Sequence, residues 1–172
     1  MSKQKVNIMV GRFQPITTGH IKCIKEIQEK TSNPLILCMI NTTLDKLDKK
    51  HPFPSTFLLE YYRQYLPVKG IMLVKNADII AISEALKNYQ ISGWVCGTDR
   101  IDSYKKMAER YHEQANLSDD FEMLEIERTD DDESASKLRK MILDDNYFEF
   151  YQMSAITDET YYKGLRRYML AL

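Results

Sequence analysis

The stretch VNIMVGRFQPITTGHIKCIKEI, residues 6–27, sets the fold of the chain. Its first five residues are a mostly apolar run that predicts a buried strand. Its last eight repeat isoleucine every third position, which predicts a helix. A loop that contains glycine and proline joins the two. A strand, a short loop and a helix in this order are typical of the βαβ unit of a parallel sheet.

The same alternation continues along the chain. Strands are predicted at residues 6–10, 35–40, 71–74, 94–96 and 121–126. Three helical stripes lie between them: Phe57, Tyr61 and Tyr65; Ile79, Ile82, Leu86 and Tyr89; and Ile101, Tyr104, Met107, Ala108 and Tyr111. After the fifth strand, an acidic loop at 130–133 leads into a helix over 134–143, and two more helical pieces follow.

This pattern predicts an α/β fold with a Rossmann-like, doubly wound, five-stranded parallel sheet in the order 3-2-1-4-5. We expect one domain over residues 1–172, with the sheet core in 1–130 and a helical carboxy-terminal extension in 134–172. Glycine is scarce, at six residues. Each one is therefore expected where the backbone must do something that a side chain would prevent, above all Gly11, Gly19 and Gly97.

The composition argues against several classes of function. The chain has 172 residues, and 24 Lys+Arg oppose 25 Asp+Glu for a net charge of −1, which argues against extended binding to nucleic acid or anionic lipid. Apolar runs are far shorter than the ~20 residues of a membrane span, and no signal peptide is recognised, so a soluble cytoplasmic protein is expected. Cys23, Cys38 and Cys96 fit reduced core thiols, and no spacing predicts a metal site.

Residues 11–20 predict a phosphate site. They follow the first strand and open the first helix, and a helix amino terminus at that edge of a parallel sheet offers unpaired N–H groups and a partial positive charge. Gly19 allows close approach of a phosphate, and His20 can donate to the same anion. For an isolated Gly-His pair, the alternative is an exposed first-turn histidine.

GRFQPITTGH resembles the GRFQPxTxGH form of the HxGH signature of the nucleotidylyltransferase superfamily, with Thr17 and His20 at the two histidine positions. The resemblance implies that Thr17 and His20 are catalytic and contact phosphate. It also implies a nucleotide-binding role for the rest of the motif, namely Gly11, Arg12, Phe13, Gln14 and Gly19.

A second candidate anion site is ESASKLRKM, residues 133–141, where Ser134 or Ser136 is a candidate N-cap and Arg139 could turn back to the same helix start. The alternative is a capped surface helix with a solvated basic face. The segment is similar to the ISxTxxR motif of the same superfamily, which grips the outer phosphates. Ser134, Ser136 and Arg139 match it, whereas Glu133 stands where isoleucine is usual.

Two further segments are candidates. Gly97-Thr98-Asp99-Arg100 resembles the superfamily's Gly-x-Asp turn, so Gly97, Asp99 and Arg100 are expected to bind nucleotide; the alternative role of Asp99 is to cap the next helix. The basic loop after the second strand contains Lys46, Lys49, Lys50 and His51. Related enzymes have a lysine or arginine there that neutralises the α-phosphate, and we select Lys50. Trp94, inside the fourth strand, is expected in the core.

The GRFQP opening is most like that of nicotinamide-mononucleotide adenylyltransferases of the short archaeal and phage type. The resemblance implies transfer of the adenylyl group of ATP to nicotinamide mononucleotide, giving NAD and pyrophosphate. Mg²⁺ is the expected cofactor, because the leaving pyrophosphate concentrates negative charge that His20 and Arg139 alone would leave under-compensated. Cytidylyltransferases and the phosphopantetheine and FMN adenylyltransferases share both motifs and remain alternatives.

Two other functional classes of protein are alternatives. A class I aminoacyl-tRNA synthetase has similar motifs but needs more chain and a basic face. A non-catalytic nucleotide-binding module would lack the donors that are present here. The sequence does not decide between a monomer and a homo-oligomer.

Overall fold

The computed structural model describes residues 3–127 and 131–172, and it contains one five-stranded sheet in the described residues. The strands are β1 (Gln4–Gly11), β2 (Leu35–Ile40), β3 (Gly70–Val74), β4 (Tyr89–Gly97) and β5 (Glu122–Ile126). They lie in the order β3-β2-β1-β4-β5, and every neighbouring pair is parallel. The predicted Rossmann-like α/β fold and strand order are therefore confirmed.

The helices alternate with the strands and then continue alone. They are α1 (Thr18–Lys30), α2 (Ser55–Tyr65), α3 (Ile79–Ala85), α4 (Ile101–Arg110), α5 (Asp131–Leu143), α6 (Tyr147–Met153) and α7 (Glu159–Leu170). A single 3₁₀ turn, Leu44–Lys46, precedes α2. In the described part of the chain, no helix has the length and apolar character that crossing a bilayer requires.

The chain forms two compact units. The sheet unit comprises residues 3–11, 24–40 and 67–127, and the helical unit comprises residues 12–23, 41–66 and 131–172. The five strands lie in the sheet unit, while α2 and α5 to α7 lie in the helical unit. That the whole chain acts as one domain stays a prediction.

The sheet unit has an apolar core. Val6, Ile8 and Val10 alternate along β1 and are almost fully buried, as a strand inside a parallel sheet requires. Trp94 of β4 is fully buried and stacks on Tyr104 of α4 at 4.3 Å between ring centroids, so it is a core residue as expected. The three cysteines are buried as predicted, and burial raises the pKa of the Cys38 thiol to about 12.

One predicted helical stripe extends beyond the end of the helix in the structure. Helix α3 begins after the N-cap Asp78, whose carboxylate accepts from the N–H of Ile80, but it ends at Ala85. Tyr89, the last residue of the predicted stripe, is the first residue of β4. Strand β4 spans nine residues rather than the predicted three, because it pairs with β1 on one side and with β5 on the other.

The cap predictions for two helices are wrong. The N-cap of α4 is Arg100, with no side-chain cap bond, so Asp99 does not cap this helix. Helix α5 already includes Asp131, so residues 131–133 are helix rather than loop, and Ser134 and Ser136 lie inside it. Serine is preferred at caps, but acidic residue types are also favoured in a first helical turn, so the acidic run belongs to the helix. Residue 130 lies outside the described residues.

The expectation that a side chain would not fit at the glycines is confirmed at Gly93 and Gly164 and is wrong at Gly70. None of the six has a positive φ, and a Cβ on Gly70 would meet nothing within 4 Å. Crowding occurs instead at Gly93, where a Cβ would overlap Asn7 Oδ1 and come within 2.8 Å of Leu124 Cδ1, and at Gly164, where it would overlap the Phe57 ring. These two glycines serve close packing rather than an unusual backbone conformation.

Candidate active site

The start of helix α1 fixes His20 in one orientation. Thr17 precedes the helix, and its Oγ1 accepts from the main-chain N–H of His20 at 3.2 Å, which is N-cap geometry. The main-chain N–H of Thr17 donates to Nδ1 of His20 at 2.9 Å, and Thr17 Oγ1 lies 3.1 Å from the same nitrogen. Because a main-chain N–H can only donate, Nδ1 is an acceptor, and the proton of the neutral ring is on Nε2.

The loop before the helix is held under strain. Phe13 has a φ of 52°, a left-handed conformation that is costly for a bulky side chain. Its carbonyl accepts a 2.6 Å bond from the Tyr62 hydroxyl, which in turn accepts from the N–H of Ile16 at 2.9 Å. Tyr62 is fully buried, and burial raises the pKa of its phenol. The Phe13 ring meets the His20 ring edge-on, with 5.1 Å between centroids.

Gln14 joins three segments of the helical unit. Its side-chain Nε2 donates to the carbonyl of Phe53 at 2.7 Å, and its Oε1 accepts from the N–H of Phe53 at 3.0 Å. Its main-chain carbonyl accepts a 2.7 Å bond from Nη1 of Arg139 in α5. Nη2 of Arg139 donates to Ser136 Oγ at 3.0 Å. The motifs at residues 11–20 and 133–141 are therefore connected directly.

The loop after β2 contains charged groups and also contacts Arg12 of the first motif. Arg12 Nη1 donates to Thr42 Oγ1 at 3.1 Å. Asp48 Oδ1 accepts from the main-chain N–H groups of Lys50, at 2.9 Å, and His51, at 2.7 Å, and forms a turn. These bonds and the nearby His51 lower the pKa of the Asp48 carboxyl. Burial lowers the pKa of the His51 imidazole; Arg12 lowers it further, Asp48 raises it and Arg139 lowers it.

Comparison with known proteins gives a family. The Cytidylyltransferase-like family model matches residues 8–141, which cover both motifs. The chain belongs to the Cytidylyltransferase-like family. It is a nucleotidyltransferase, as the two motifs predicted. The comparison with curated proteins gave no significant match.

Solved structures share the fold of this cytidylyltransferase-like chain. The Thermotoga maritima TmcAL bound with alpha-thio ATP superposes with a TM-score of 0.58 at 11% identity; the match covers 99% of this chain but only 56% of TmcAL. The Plasmodium falciparum nicotinic acid mononucleotide adenylyltransferase gives TM-scores of 0.52 complexed with NaAD and 0.53 complexed with APC, each at 14% identity. These matches cover 97% of this chain and 97% and 96% of the Plasmodium chain.

The helical unit of the cytidylyltransferase-like chain contains most of the predicted site residues. Thr17 and His20 are buried and bonded to each other, whereas Arg12 is exposed. Lys50 is exposed, and its main-chain N–H is bonded to Asp48. Ser134 is half-buried within α5, and Gly19 lies in the first turn of α1.

The remaining predicted residues belong to the sheet unit. Gly11 ends β1, and Gly97 ends β4. The N–H of Arg100 donates to the carbonyl of Gly97 at 3.1 Å, and both Asp99 and Arg100 are exposed in this turn. Their nucleotide-binding role stays a prediction.

Three residues that contact or influence the candidate site are not predicted from the sequence: Thr42, His51 and Tyr62. The Tyr62 hydroxyl donates to the carbonyl of Phe13 in the strained loop, and the Thr42 hydroxyl accepts from Arg12. The charges of Arg12 and Arg139 act on the His51 imidazole. The sequence identifies His51 only as part of a basic loop. The His-Pro-Phe triplet was the available signal, since Phe53 is the residue whose main chain pairs with Gln14.

Proposed function

We propose that the protein transfers the adenylyl group of ATP to nicotinamide mononucleotide and releases pyrophosphate. The observation that carries the proposal is the hydrogen bond from Arg139 to the carbonyl of Gln14, which joins the two phosphate motifs. The resemblance of GRFQPITTGH to nicotinamide-mononucleotide adenylyltransferases supports ATP and this acceptor. The adenylyltransferase fold of the Plasmodium neighbour is consistent with it.

In this proposal the reaction needs no protein nucleophile. A phosphate oxygen of the acceptor attacks the α-phosphorus of ATP, and pyrophosphate leaves. His20 donates from Nε2 to a non-bridging oxygen of the α-phosphate, with Thr17 holding the ring, while Arg139 and Ser136 bind the outer phosphates. Fixed donors of this kind accelerate the reaction by positioning the reactants and stabilising developing charge. Lys50, with its exposed side chain, is a further donor in this scheme.

Mg²⁺ is part of the proposal as an ion that arrives with the nucleotide. Among the side chains that the structure describes, no group of three or more His, Cys, Asp or Glu residues could hold a metal. Mg²⁺ commonly binds through substrate phosphates and water with only one or two protein carboxylates, which fits an ion that arrives with the nucleotide. When bound, the ion would neutralise charge on the pyrophosphate.

The acceptor and the nucleotide are tested together. Release of pyrophosphate is measured with ATP or CTP, each crossed with nicotinamide mononucleotide, nicotinic acid mononucleotide, phosphopantetheine, FMN and glycerol 3-phosphate. We expect turnover with ATP and nicotinamide mononucleotide. Turnover with CTP alone would overturn the adenylyl assignment, and it is the second candidate because the matching family model is cytidylyltransferase-like.

The same measurements test the non-catalytic alternative. ATP binding without pyrophosphate release for any acceptor would indicate a nucleotide-binding module. The presence of His20, Ser136 and Arg139 supports turnover instead. A cytoplasmic location, the lack of nucleic-acid or membrane partners and the oligomeric state stay predictions.

A further inference from the structure

The His51 turn has a fixed backbone. Asp48 Oδ1 accepts from the N–H of His51 at 2.7 Å, and the N–H of Asp48 donates to the carbonyl of His51 at 3.2 Å. His51 Nδ1 lies 3.5 Å from the same carboxylate oxygen. About one third of the His51 side chain is exposed, so a ligand in solvent can reach the ring.

Hydrogen bonds connect this turn to both phosphate motifs. Two residues after His51, the N–H and the carbonyl of Phe53 are paired with the side chain of Gln14. The carbonyl of Gln14 is paired with Arg139. Gln14 of the first motif is therefore hydrogen-bonded to the segment after His51 through its side chain and to Arg139 of α5 through its main-chain carbonyl. The charge of Arg139 also acts on the His51 ring.

Among the side chains that the structure describes, the charged groups that act on the imidazole are Arg12, Asp48 and Arg139. Two are guanidinium groups from the two phosphate motifs, and they oppose a positive charge on the ring, as burial does. Asp48 favours that charge. At neutral pH the net effect keeps the free imidazole uncharged, because the lowered pKa falls below the ordinary value of 6.5. An anion bound by the guanidinium groups would oppose this effect, since a negative charge near the ring favours its protonated form.

We propose that His51 is a phosphate-binding residue that takes up one proton from solvent when a nucleoside triphosphate binds and returns it when the triphosphate site empties. The inference rests on the proposed function, because it assigns His51 to the triphosphate of that reaction. The neutral ring lowers the positive charge of the empty site, and the protonated ring adds an N–H donor and a charge only when phosphate is present. His51 would then contact substrate directly.

The test is calorimetric titration of ATP, with Mg²⁺ and without acceptor, at pH 7.5 in two buffers of different ionisation enthalpy. The difference in heat gives the protons taken up per ATP bound. We expect wild type to take up more protons than His51→Gln, by up to one. The glutamine variant should bind ATP roughly tenfold more weakly at pH 6.5, since it loses a charged donor. Subtracting the variant also removes the ionisation of ATP itself.

Two variants separate binding from a structural effect. His51→Lys supplies a fixed charge, so it should restore affinity while the excess proton uptake stays absent; a merely structural histidine would not be rescued in this way. His112→Gln, a histidine substitution in the sheet unit, should behave as wild type in both buffers. Thermal unfolding followed by circular dichroism checks that each variant is folded.

The outcomes are distinguishable from those of the proposed function. Equal proton uptake by wild type and His51→Gln, with pyrophosphate release intact, overturns the role of His51 alone. Excess uptake by wild type without pyrophosphate release for any acceptor supports His51 and overturns the transfer reaction. Failure of wild type to bind ATP overturns both.

Discussion

Nη1 of Arg139 donates a 2.7 Å hydrogen bond to the main-chain carbonyl of Gln14, across 125 positions of sequence. The second nitrogen of the guanidinium, Nη2, bonds Ser136 within the same helix. Because the guanidinium is planar, these two bonds fix its orientation as well as its position. The cation of the second motif is thereby held next to the loop that leads into His20.

Two replacements of Arg139 should distinguish the contribution of its charge to kcat from that of its hydrogen-bond geometry. Lysine keeps the charge but cannot bond Gln14 and Ser136 with a planar fork, so we expect Arg139→Lys to lower kcat by roughly tenfold and Arg139→Ala by roughly 10²-fold to 10³-fold. Steady-state pyrophosphate release measures both. Lys140→Ala, an exposed cation on the same helix, is the matched control and should retain kcat; an equal loss there would indicate a general charge effect.

His20→Ala should retain ATP binding and lose turnover by roughly 10²-fold to 10³-fold, because the lost donor acts on charge that develops in the transition state. Glutamine has an amide N–H that can approach the position of Nε2, so His20→Gln should keep more activity than His20→Ala. ATP dissociation constants and kcat are compared for the three proteins. A wild-type rate in His20→Ala would remove this residue from the mechanism.

Thr17→Val removes the hydroxyl that caps α1 and contacts His20 while nearly keeping side-chain volume. We expect the free energy of unfolding to fall by about 1 kcal/mol, the usual value of a lost N-cap. The kcat should fall too, since the His20 ring loses one of its two Thr17 contacts. Urea unfolding and turnover are measured against Thr17→Ser, which keeps the hydroxyl. Equal stability of the valine and serine variants would contradict the cap.

Gly93→Ala should be destabilising, whereas Gly70→Ala should not. Both glycines are in strands, but a Cβ at 93 would overlap Asn7 Oδ1 and crowd Leu124, while a Cβ at 70 has open space. Overpacking at a buried position costs about 1–3 kcal/mol. Urea unfolding of the two variants compares the sites, and a neutral Gly93→Ala would show that Asn7 moves without cost.

The Asp120 carboxyl group should make the free energy of unfolding depend on pH in acid solution. Bonds from Ser118 and then Lys5 lower the pKa of this carboxyl from 3.8 to about 2. A lowered folded-state pKa means that the stabilisation is present above pH 4 and is lost as pH falls from about 4 to about 2. Wild type should be more stable than Asp120→Asn at pH 6, and the difference should shrink towards pH 2. A constant difference in the free energy of unfolding would contradict this assignment.

Sequence periodicity predicted the sheet better than it predicted element ends. The strands of a covered parallel sheet are continuous apolar runs, so β1, β2 and β3 were located to within two residues at either end. Tyr89 fitted the spacing of a helical stripe, and only pairing with β1 makes it a strand residue. Ser134 and Ser136 fitted cap chemistry, yet α5 begins before both.

The sequence by itself determined the parallel α/β fold, the two sequence motifs and the family to which they belong, because apolar spacing and short motifs are local properties of the chain. The tertiary structure decided which nitrogen of His20 carries the proton, that Arg139 bonds Gln14, and that His51 lies within electrostatic range of both arginines. These relationships join residues through main-chain hydrogen bonds and packing, which have no fixed spacing along the chain and arise only when distant segments are brought together.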